Sequence, residues 1–325
     1  MRILITGVAG FVGYNLVEKF SLDHNSKILG LDNLNKYYSQ SLKKKRLSNL
    51  KKLKNFKFIK LDLLNIKKLK KILNNFKPNI IIHLAAQPGV RYSFTDPDSY
   101  INSNILGFYN IISASKKIKQ LKLFFYASSS SVYSSNKKKF SENEKIYNPN
   151  SLYGLTKKFN EDLAEYFSNY VSFKFVGLRF FSLYGPWGRP DMAYFNFTNL
   201  LYQRKTLKVF NYGKNKRDMT FIDDAVQSIK KLTLIKNFKE KHTILNIGNE
   251  KPVSTNNLIK VISSVSKIKP KYKMVGKLHY ENLSSFAEIK KLKNIIGPVP
   301  KTDIQIGIKK FHLWFKNYFN IKNKK

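Results

Sequence analysis

The stretch RILITGVAGFVG, residues 2–13, decides the fold class of this chain. Residues 2–6 are mostly apolar without alternation, which is typical of a strand buried on both faces of a parallel sheet. Gly7, Gly10 and Gly13 follow, and a helical pattern begins at the last of them. Glycines at such a junction permit a tight turn and let the backbone approach a pyrophosphate, which the helix N-terminus stabilises. We therefore expect this loop to bind a dinucleotide through Gly7, Gly10, Phe11, Val12 and Gly13.

Strand-like and helix-like patterns alternate along the first 180 residues. Further strands are predicted at residues 27–31, 56–61, 80–84, 122–127 and 174–178. Helices are predicted at residues 13–21, 63–76, 100–117 and 152–169. This alternation predicts an α/β protein with a Rossmann, doubly wound parallel sheet.

The pattern changes after about residue 180, where the GPWGRP segment at residues 185–190 is typical of a loop. Shorter and less regular segments follow. We expect residues 1–180 to form an NAD-binding domain, with segments at about 215–250 returning to its sheet. Residues 181–325 are expected to form mainly a smaller C-terminal lobe that binds the substrate.

The composition excludes several classes of protein. Hydrophobic residues make up 42% of the 325 residues, which argues against global disorder. The absence of cysteine excludes disulfides, thiolate catalysis and cysteine metal sites, and no metal site is predicted. No apolar run reaches the ~18 residues of a membrane span, and the N-terminus does not resemble a signal peptide. We expect no membrane insertion and a cytoplasmic location.

The formal net charge of +40 raises the alternative of a basic nucleic-acid-binding protein. The excess charge comes from lysines spread over the whole length, and several of their clusters fall on predicted helices, where lysine normally faces solvent. The sequence contains no recognised nucleic-acid-binding motif. We therefore expect no nucleic-acid partner, and keep this function as the alternative from a different class.

Asp32 completes the dinucleotide signal, because it ends the second strand about 20 residues after the glycines. Its carboxylate can accept hydrogen bonds from the adenosine ribose and would repel a 2′-phosphate, so NAD is predicted rather than NADP. Asp62 and Leu63, after the third strand, are expected near the adenine. Small residues after the fourth strand would let the cofactor lie close, and the predicted contacts there are Leu84, Ala85 and Ala86.

Tyr153 and Lys157 are the candidate catalytic pair. Their i, i+4 spacing places them on one face of a predicted helix. Tyrosine has a pKa near ~10, and we expect the Lys157 ammonium to stabilise the phenolate and lower that pKa. Serines occupy positions 128–131 at the end of the fifth strand, at the sheet edge where ligands bind. A serine there can share a substrate hydroxyl with Tyr153.

Several longer stretches resemble the extended short-chain dehydrogenase/reductase family of NAD-dependent epimerases and dehydratases, over essentially the whole chain. They are residues 31–38 (LDNLNKYY), 85–93 (AAQPGVRYS), 126–133 (YASSSSVY), 178–193 (LRFFSLYGPWGRPDMA) and 217–224 (RDMTFIDD). The resemblance is greatest to UDP-glucuronate 4-epimerases. It implies NAD as the cofactor, a UDP-sugar as the substrate, and additional cofactor contacts at Asn33, Asn104 and Phe180.

The resemblance also implies a mechanism. The Tyr153 phenolate would take the proton of the sugar C4 hydroxyl while C4 is oxidised against NAD. Ser129 would share that hydroxyl, and Lys157 would hold the nicotinamide ribose. The resulting 4-keto sugar would turn within the site and be reduced on its other face, which converts UDP-glucuronate into UDP-galacturonate.

The substrate contacts implied by the resemblance are grouped at two ends of the sugar nucleotide. The sugar end comprises Ser130, Ser131, Ser182 and Arg189, and the planar guanidinium of Arg189 suits a carboxylate. Arg91 is a further expected substrate contact. At the nucleotide end, Arg217 is the expected diphosphate partner. The family's Gly-Asp-Val segment is replaced by YENL at residues 280–283, where Glu281 is expected to contact the uridine ribose.

Several alternatives remain open. Other epimerases would act on UDP-glucose or UDP-N-acetylglucosamine, and UDP-glucuronate decarboxylases use the same substrate. Decarboxylating relatives carry Glu at the position of Ser131, and dehydratase relatives carry Asp-Glu at Ser130 and Ser131, which argues against both reactions. A catalytically silent NAD-binding scaffold is a further alternative. Relatives commonly dimerise through two helices, here residues 100–117 and 152–169, so a homodimer with a four-helix bundle is expected.

Overall fold

The structure is a computed structural model that describes residues 1–133, 139–277 and 284–321. Its strands are β1 (Arg2–Thr6), β2 (Lys27–Asp32), β3 (Phe56–Lys60), β4 (Ile80–His83), β5 (Leu123–Ser129), β6 (Lys174–Phe180), β7 (Ser182–Tyr184), β8 (Leu207–Phe210), β9 (Lys216–Phe221), β10 (His242–Ile247), β11 (Pro252–Ser254) and β12 (Tyr272–Val275). Its α-helices are α1 (Phe11–Ser21), α2 (Gln40–Leu50), α3 (Ile66–Phe76), α4 (Pro97–Tyr100), α5 (Gly107–Ser115), α6 (Leu152–Ser168), α7 (Ala193–Tyr202), α8 (Ile222–Thr233), α9 (Thr255–Ser266), α10 (Lys290–Ile296) and α11 (Ile304–Tyr318).

Seven parallel strands form the large sheet, in the order β10-β6-β5-β4-β1-β2-β3. The order runs outward in both directions from β1, as in a doubly wound fold with its switch point beside β1. The predicted fold class is confirmed.

Both faces of the sheet are buried, which explains the unbroken apolar runs of its strands. Successive residues of β5, Phe124 and Phe125, are fully buried in separate hydrophobic clusters on opposite faces. Helices α1 and α8 contribute to the cluster that contains Phe125, whereas α3, α5 and α6 contribute to the other. The sheet is therefore the middle layer of three.

The strands predicted in the first half lie within one or two residues of the observed ones. The helix predicted at residues 100–117 is interrupted, because a π-helical stretch, Ile101–Leu106, separates α4 from α5. Five short strands, β7, β8, β9, β11 and β12, were not predicted. Their three to six residues carry too little periodicity to be distinguished from loops.

The C-terminal half builds two small sheets beyond the carboxyl edge of the large one. A three-stranded sheet has the order β11-β9-β7, and β12 pairs with β8. Of the segment at about 215–250, β10 joins the large sheet beside β6, while β9 belongs to the three-stranded sheet. Within the described residues, no helix is long and apolar enough to cross a membrane. The same residues contain no group of three or more metal-ligating side chains of His, Cys, Asp or Glu.

Candidate active site

A cleft of about 420 Å³ opens at the carboxyl ends of the central strands. Ligands bind at this edge in open α/β sheets, because the connecting loops diverge there at the switch point. Most of the residues predicted from the sequence line the cleft. They are Gly7, Gly10, Phe11, Val12, Gly13, Asp32, Asn33, Asp62, Leu63, Leu84, Ala85, Ala86, Ser129, Ser130, Ser131, Tyr153, Lys157, Phe180, Ser182 and Arg189.

The three glycine positions of the loop are packed too tightly to accept a side chain. Gly7 has a φ of +74°, and a Cβ there would lie 2.8 Å from the Ala85 nitrogen. A Cβ on Gly13 would lie 2.3 Å from the Gly7 carbonyl oxygen. Among the described residues, no side chain caps the N-terminus of α1, and its first turn contains no acid. The loop therefore leaves backbone N–H groups for an anion, and it fits the pyrophosphate of a dinucleotide.

Asp32 is held at the end of β2 by backbone groups. Its carboxylate oxygens accept hydrogen bonds from the Ala9 N–H at 3.0 Å and the Leu34 N–H at 2.8 Å. Burial raises the pKa of Asp32, and these two hydrogen bonds act in the opposite direction. Each carboxylate oxygen can accept a further hydrogen bond, so Asp32 can also accept hydrogen bonds from ribose hydroxyls.

Tyr153 and Lys157 both face the cleft from the first two turns of α6, which begins at the Ser151 cap. The Lys157 Nζ donates to the Ala127 carbonyl of β5 at 2.8 Å. Ser129 ends the same strand, and its hydroxyl acts to lower the pKa of Tyr153. The fold thus brings the serine, the tyrosine and the lysine together from β5 and α6.

The expected effect of Lys157 on the pKa of Tyr153 is wrong. Burial raises the pKa of Tyr153, and the opposing contributions come from the Ser129 hydroxyl and the Arg189 charge. Burial also lowers the pKa of Lys157 to about 7, although the charge of Glu161 opposes this. Desolvation by burial is the largest contribution to both shifts and outweighs the stabilisation expected from the lysine.

Arg189 lies on the loop of residues 185–193 that follows β7. Trp187 adopts a φ of 61°, which is uncommon for a residue with a side chain. Arg46 of α2 stabilises this loop, since its guanidinium donates to the Trp187 carbonyl and, at 2.9 Å, to the Gly188 carbonyl. The same guanidinium reaches the Ala9 carbonyl of the glycine loop at 2.7 Å. Arg46 therefore connects the two loops that bound the cleft.

The structure places three predicted site residues outside the cleft lining. Asn104 is buried, and it bonds the Gln87 backbone and the Thr156 hydroxyl instead. The π-helical stretch changes which residues face the cleft, so Asn102 and Ser103 line it.

The other two predicted residues outside the lining are arginines of the substrate side. The Arg91 guanidinium lies over the Phe210 ring at 4.8 Å, and Arg217 donates to the Lys216 carbonyl at 2.9 Å. Glu281 and the rest of residues 278–283 lie outside the described residues.

The cleft is also lined by residues that were not predicted as site residues, among them Lys43 and Tyr37. Lys43 of α2 donates to the Asn35 carbonyl at 2.8 Å, and burial lowers its pKa to about 8 although the charge of Asp32 opposes the shift. Tyr37 follows β2 and donates to Asp191 at 3.1 Å. The sequence contained a signal for both, because they lie in or beside the stretch at residues 31–38 that carries the family resemblance.

The family model described as "NAD dependent epimerase/dehydratase family" matches residues 3–248 of this chain. The chain belongs to this family. An uncharacterized protein of Methanocaldococcus jannaschii is 40% identical over 97% of this chain and 96% of its own length. The UDP-glucuronate 4-epimerase 4 of Arabidopsis thaliana is 36% identical over 98% of this chain and 76% of its own length.

A solved structure of another family member has the same fold over the whole chain. The crystal structure of UDP-glucuronic acid 4-epimerase from Bacillus cereus, in complex with UDP-glucuronic acid and NAD, has a TM-score of 0.92. Its sequence is 29% identical, and the match covers 98% of this chain and 100% of the other. The seven-stranded sheet thus matches the fold of a known epimerase structure.

Proposed function

We propose that this protein catalyses the NAD-dependent C4 epimerisation of a UDP-sugar, converting UDP-glucuronate into UDP-galacturonate through a 4-keto intermediate. One observation carries the proposal: Ser129, Tyr153 and Lys157 share a single cleft with Arg189. The first three suit the oxidation of a sugar hydroxyl, and the arginine suits a carboxylate on the same sugar. UDP-glucuronic acid and NAD in the similar enzyme from Bacillus cereus support the choice of both ligands.

NAD fits the cofactor side of the cleft. The glycine loop is a cradle that a Cβ would fill, and its N–H groups would hold the pyrophosphate. Asp32 would accept hydrogen bonds from the adenosine ribose hydroxyls. Asn33, Asp62 and Leu63 would lie beside the adenosine. When bound, NAD supplies the reversible two-electron oxidation of the C4 alcohol. We propose that residues 1–180 and β10 form the NAD-binding part and that the remaining described residues mainly bind the substrate.

Tyr153 is proposed as the catalytic acid and base. Its phenolate removes the C4 hydroxyl proton during oxidation and returns a proton when the ketone is reduced. Ser129 donates its single hydroxyl proton to the Tyr153 oxygen, which stabilises the ionised phenol, and its own oxygen can accept the C4 hydroxyl of the sugar. In its protonated form, Lys157 holds the nicotinamide ribose and adds positive charge near the phenolate.

The uronate end of the cleft is assigned to Arg189, with hydroxyls from Ser130, Ser131 and Ser182. The 4-keto uronate is a β-keto acid, and it would lose carbon dioxide if its carboxylate turned out of the sugar plane. A planar guanidinium restrains the carboxylate by pairing with both of its oxygens.

Four further assignments rest on the family resemblance and remain proposals. Arg217 would contact the diphosphate, Arg91 the sugar side and Glu281 the uridine ribose. Asn104 would act indirectly, by fixing Gln87 and Thr156 next to the cleft.

A substrate panel tests the proposed function. Purified protein is incubated separately with UDP-glucuronate, UDP-glucose, UDP-N-acetylglucosamine and UDP-xylose, and the products are resolved by NMR. We expect UDP-galacturonate from UDP-glucuronate, with little or no UDP-pentose. Conversion of UDP-glucose alone would reject the uronate assignment, and a UDP-pentose product would identify a decarboxylase.

A homodimer is proposed from an exposed apolar face. On α6, Leu155, Phe159 and Tyr166 recur at helical spacing and are 52%, 42% and 58% exposed. Leu106 and Tyr109 are also exposed around the start of α5, which adjoins α6 in the same layer. A second copy would bury this face in a four-helix bundle.

We also propose a cytoplasmic location and a role in polysaccharide biosynthesis, because UDP-galacturonate is an activated sugar.

A further inference from the structure

The carboxylate-binding Arg189 has an acidic partner within the chain. Its Nε donates to one carboxylate oxygen of Asp191 at 3.0 Å, and its Nη2 pairs with the other oxygen. Two parallel bonds of this kind fix the plane of the guanidinium as well as its position. They occupy the Nε–Nη2 edge of the fork and leave the Nη1–Nη2 end, with its remaining N–H groups, free to pair with both oxygens of another carboxylate.

Asp191 is itself held by a third residue. Tyr37, which follows β2, donates its hydroxyl to Asp191 at 3.1 Å, and the Arg189 guanidinium lies 5.9 Å from the centre of the Tyr37 ring. The two contacting residues are 154 positions apart in the chain. The Tyr37 hydroxyl has little space, since a Cβ on Gly89 would lie 2.6 Å from it. The anchor of Asp191 is therefore a packed side chain.

Asp191 could either support Arg189 or compete with the substrate carboxylate for it, and its position relative to the cleft bears on this choice. Arg189 and Tyr37 line the cleft, whereas Asp191 is not among the described residues that line it. Asp191 therefore holds the arginine from outside the cleft lining. The charge of Arg189 and the hydrogen bonds lower the pKa of Asp191 although burial opposes the shift, so it is ionised at neutral pH.

We propose that Asp191 and Tyr37 are positioning residues that orient the Arg189 guanidinium toward the substrate carboxylate and thereby determine the preference for a uronate. This inference rests on the proposed function. An unheld arginine would have to lose side-chain freedom when the substrate binds, and that loss would weaken binding. The hydrogen bonds from Arg189 to Asp191 and from Tyr37 to Asp191 restrict this freedom before the substrate binds.

The test compares Asp191→Asn and Tyr37→Phe with a matched control, Tyr92→Phe. The control also removes a tyrosine-to-aspartate hydrogen bond, the one that the Tyr92 hydroxyl donates to Asp96 at 2.9 Å. The centre of the Tyr92 ring lies 4.8 Å from that of the Tyr37 ring. Affinities for UDP-glucuronate and for UDP alone are measured by calorimetry on the NAD-loaded protein. Carbon dioxide release is followed during turnover of UDP-glucuronate.

We expect Asp191→Asn to weaken UDP-glucuronate binding on the order of tenfold, as for one charge-assisted hydrogen bond, and to leave UDP affinity unchanged. Tyr37→Phe should act in the same direction more weakly, and Asp191→Glu should restore part of the loss. Carbon dioxide should rise in Asp191→Asn, because a freer carboxylate lets the C5–C6 bond of the 4-keto sugar break with its electron pair delocalised onto the C4 oxygen. The control should match the wild type.

The possible failures are distinguishable. If the wild type turns over UDP-glucuronate but Asp191→Asn binds it as tightly as the wild type, the positioning role is rejected and the proposed function stands. Equal weakening for UDP-glucuronate and UDP would indicate a general disturbance of the site, which also rejects it. A wild type without activity on UDP-glucuronate would overturn both proposals.

Discussion

At the scale of single residues, desolvation dominates the electrostatics of the catalytic pair. Tyr153 and Lys157 lie in a pocket whose burial disfavours the charged form of each, so the pKa of the tyrosine is raised and that of the lysine lowered. The proposed chemistry needs the opposite state, an ionised tyrosine beside a protonated lysine. The Ser129 hydroxyl and the Arg189 charge both act to lower the pKa of Tyr153, the direction that favours the phenolate.

Replacement of Tyr153 by phenylalanine tests its role directly. Since the variant keeps the ring and loses only the proton-transferring hydroxyl, we expect kcat to fall by roughly 10²–10⁴-fold, the usual contribution of a general acid or base. Bound NAD, measured by absorbance and by release on denaturation, should remain. Tyr166→Phe, on the exposed side of the same helix, is the control. Activity near the wild-type value in Tyr153→Phe would assign the proton transfer to another group.

The lowered pKa of Lys157 predicts a pH dependence of stability. Between pH 7 and about 10.5 the unfolded chain holds the lysine proton while the folded chain has lost it, so this residue makes the free energy of unfolding rise with pH. Lys157→Met removes this contribution, and its advantage over the wild type should be largest below pH 7 and shrink as the pH rises.

The measurement is urea unfolding of protein freed of nucleotide, from pH 6 to 9. Lys158→Met serves as the control, since Lys158 forms an i, i+4 ion pair with Asp162 on the same helix. Parallel stability curves for Lys157→Met and the wild type would show that burial does not perturb Lys157.

At the scale of secondary structure elements, close contact of the glycine loop with its neighbours orients the cofactor side of the cleft. Helix α1 starts almost on top of β1 because Gly13 meets the Gly7 carbonyl, and Gly7 lies against the residues that follow β4. The helix N-terminus is thereby aimed into the cleft. A side chain anywhere in this contact would move the helix away from the sheet.

Gly13→Ala should therefore destabilise the protein and weaken NAD binding. Overpacking of this kind costs roughly 1–3 kcal/mol, and displacement of α1 misaligns the N–H groups that would hold the pyrophosphate. Thermal unfolding with and without NAD gives both quantities. Gly276→Ala is the matched control, because no heavy atom lies within 4 Å of a Cβ placed there. A Gly13→Ala variant with unchanged NAD affinity would contradict this account of the loop.

At the scale of the whole molecule, the two sides of the cleft are connected through residues from distant parts of the chain. Arg46 joins the glycine loop to the loop of residues 185–193, and Tyr37 joins the segment after β2 to Asp191. The cofactor side and the uronate side therefore form one packed unit. Helix α6 carries Tyr153 and Lys157 in the cleft, and its exposed side bears the apolar face that is proposed to bind a second copy.

Phe159→Glu should break the proposed dimer. A charge at a residue that is 42% exposed costs little in a monomer, but in a bundle it would be buried without a partner. Light scattering after size-exclusion chromatography should give a dimer for the wild type and a monomer for the variant. Leu313→Glu, at an exposed position of α11, should leave the mass unchanged. A wild-type protein that is monomeric at all concentrations would reject the proposal.

The features that depend on local spacing followed from the sequence alone. The β1–glycine loop–α1 unit, Asp32, and the i, i+4 pair Tyr153 and Lys157 could be located because strand and helix periodicities place nearby residues on one face or at one turn. The serines were located in the same way, since the end of a parallel strand determines which edge of the sheet they occupy. Confirmation of the parallel sheet shows how much of the fold these short-range patterns carry.

Only the tertiary structure decided how these residues act on one another. It turned Asn104 away from the cleft through a π-helical stretch, and it set the direction of both pKa shifts through burial. It also joined Arg189 and Asp191 to Tyr37, and Arg46 to the Trp187 carbonyl, across 154 and 141 residues of chain. The physical reason is that desolvation and long-range packing depend on every element that closes over a site, which no local spacing records.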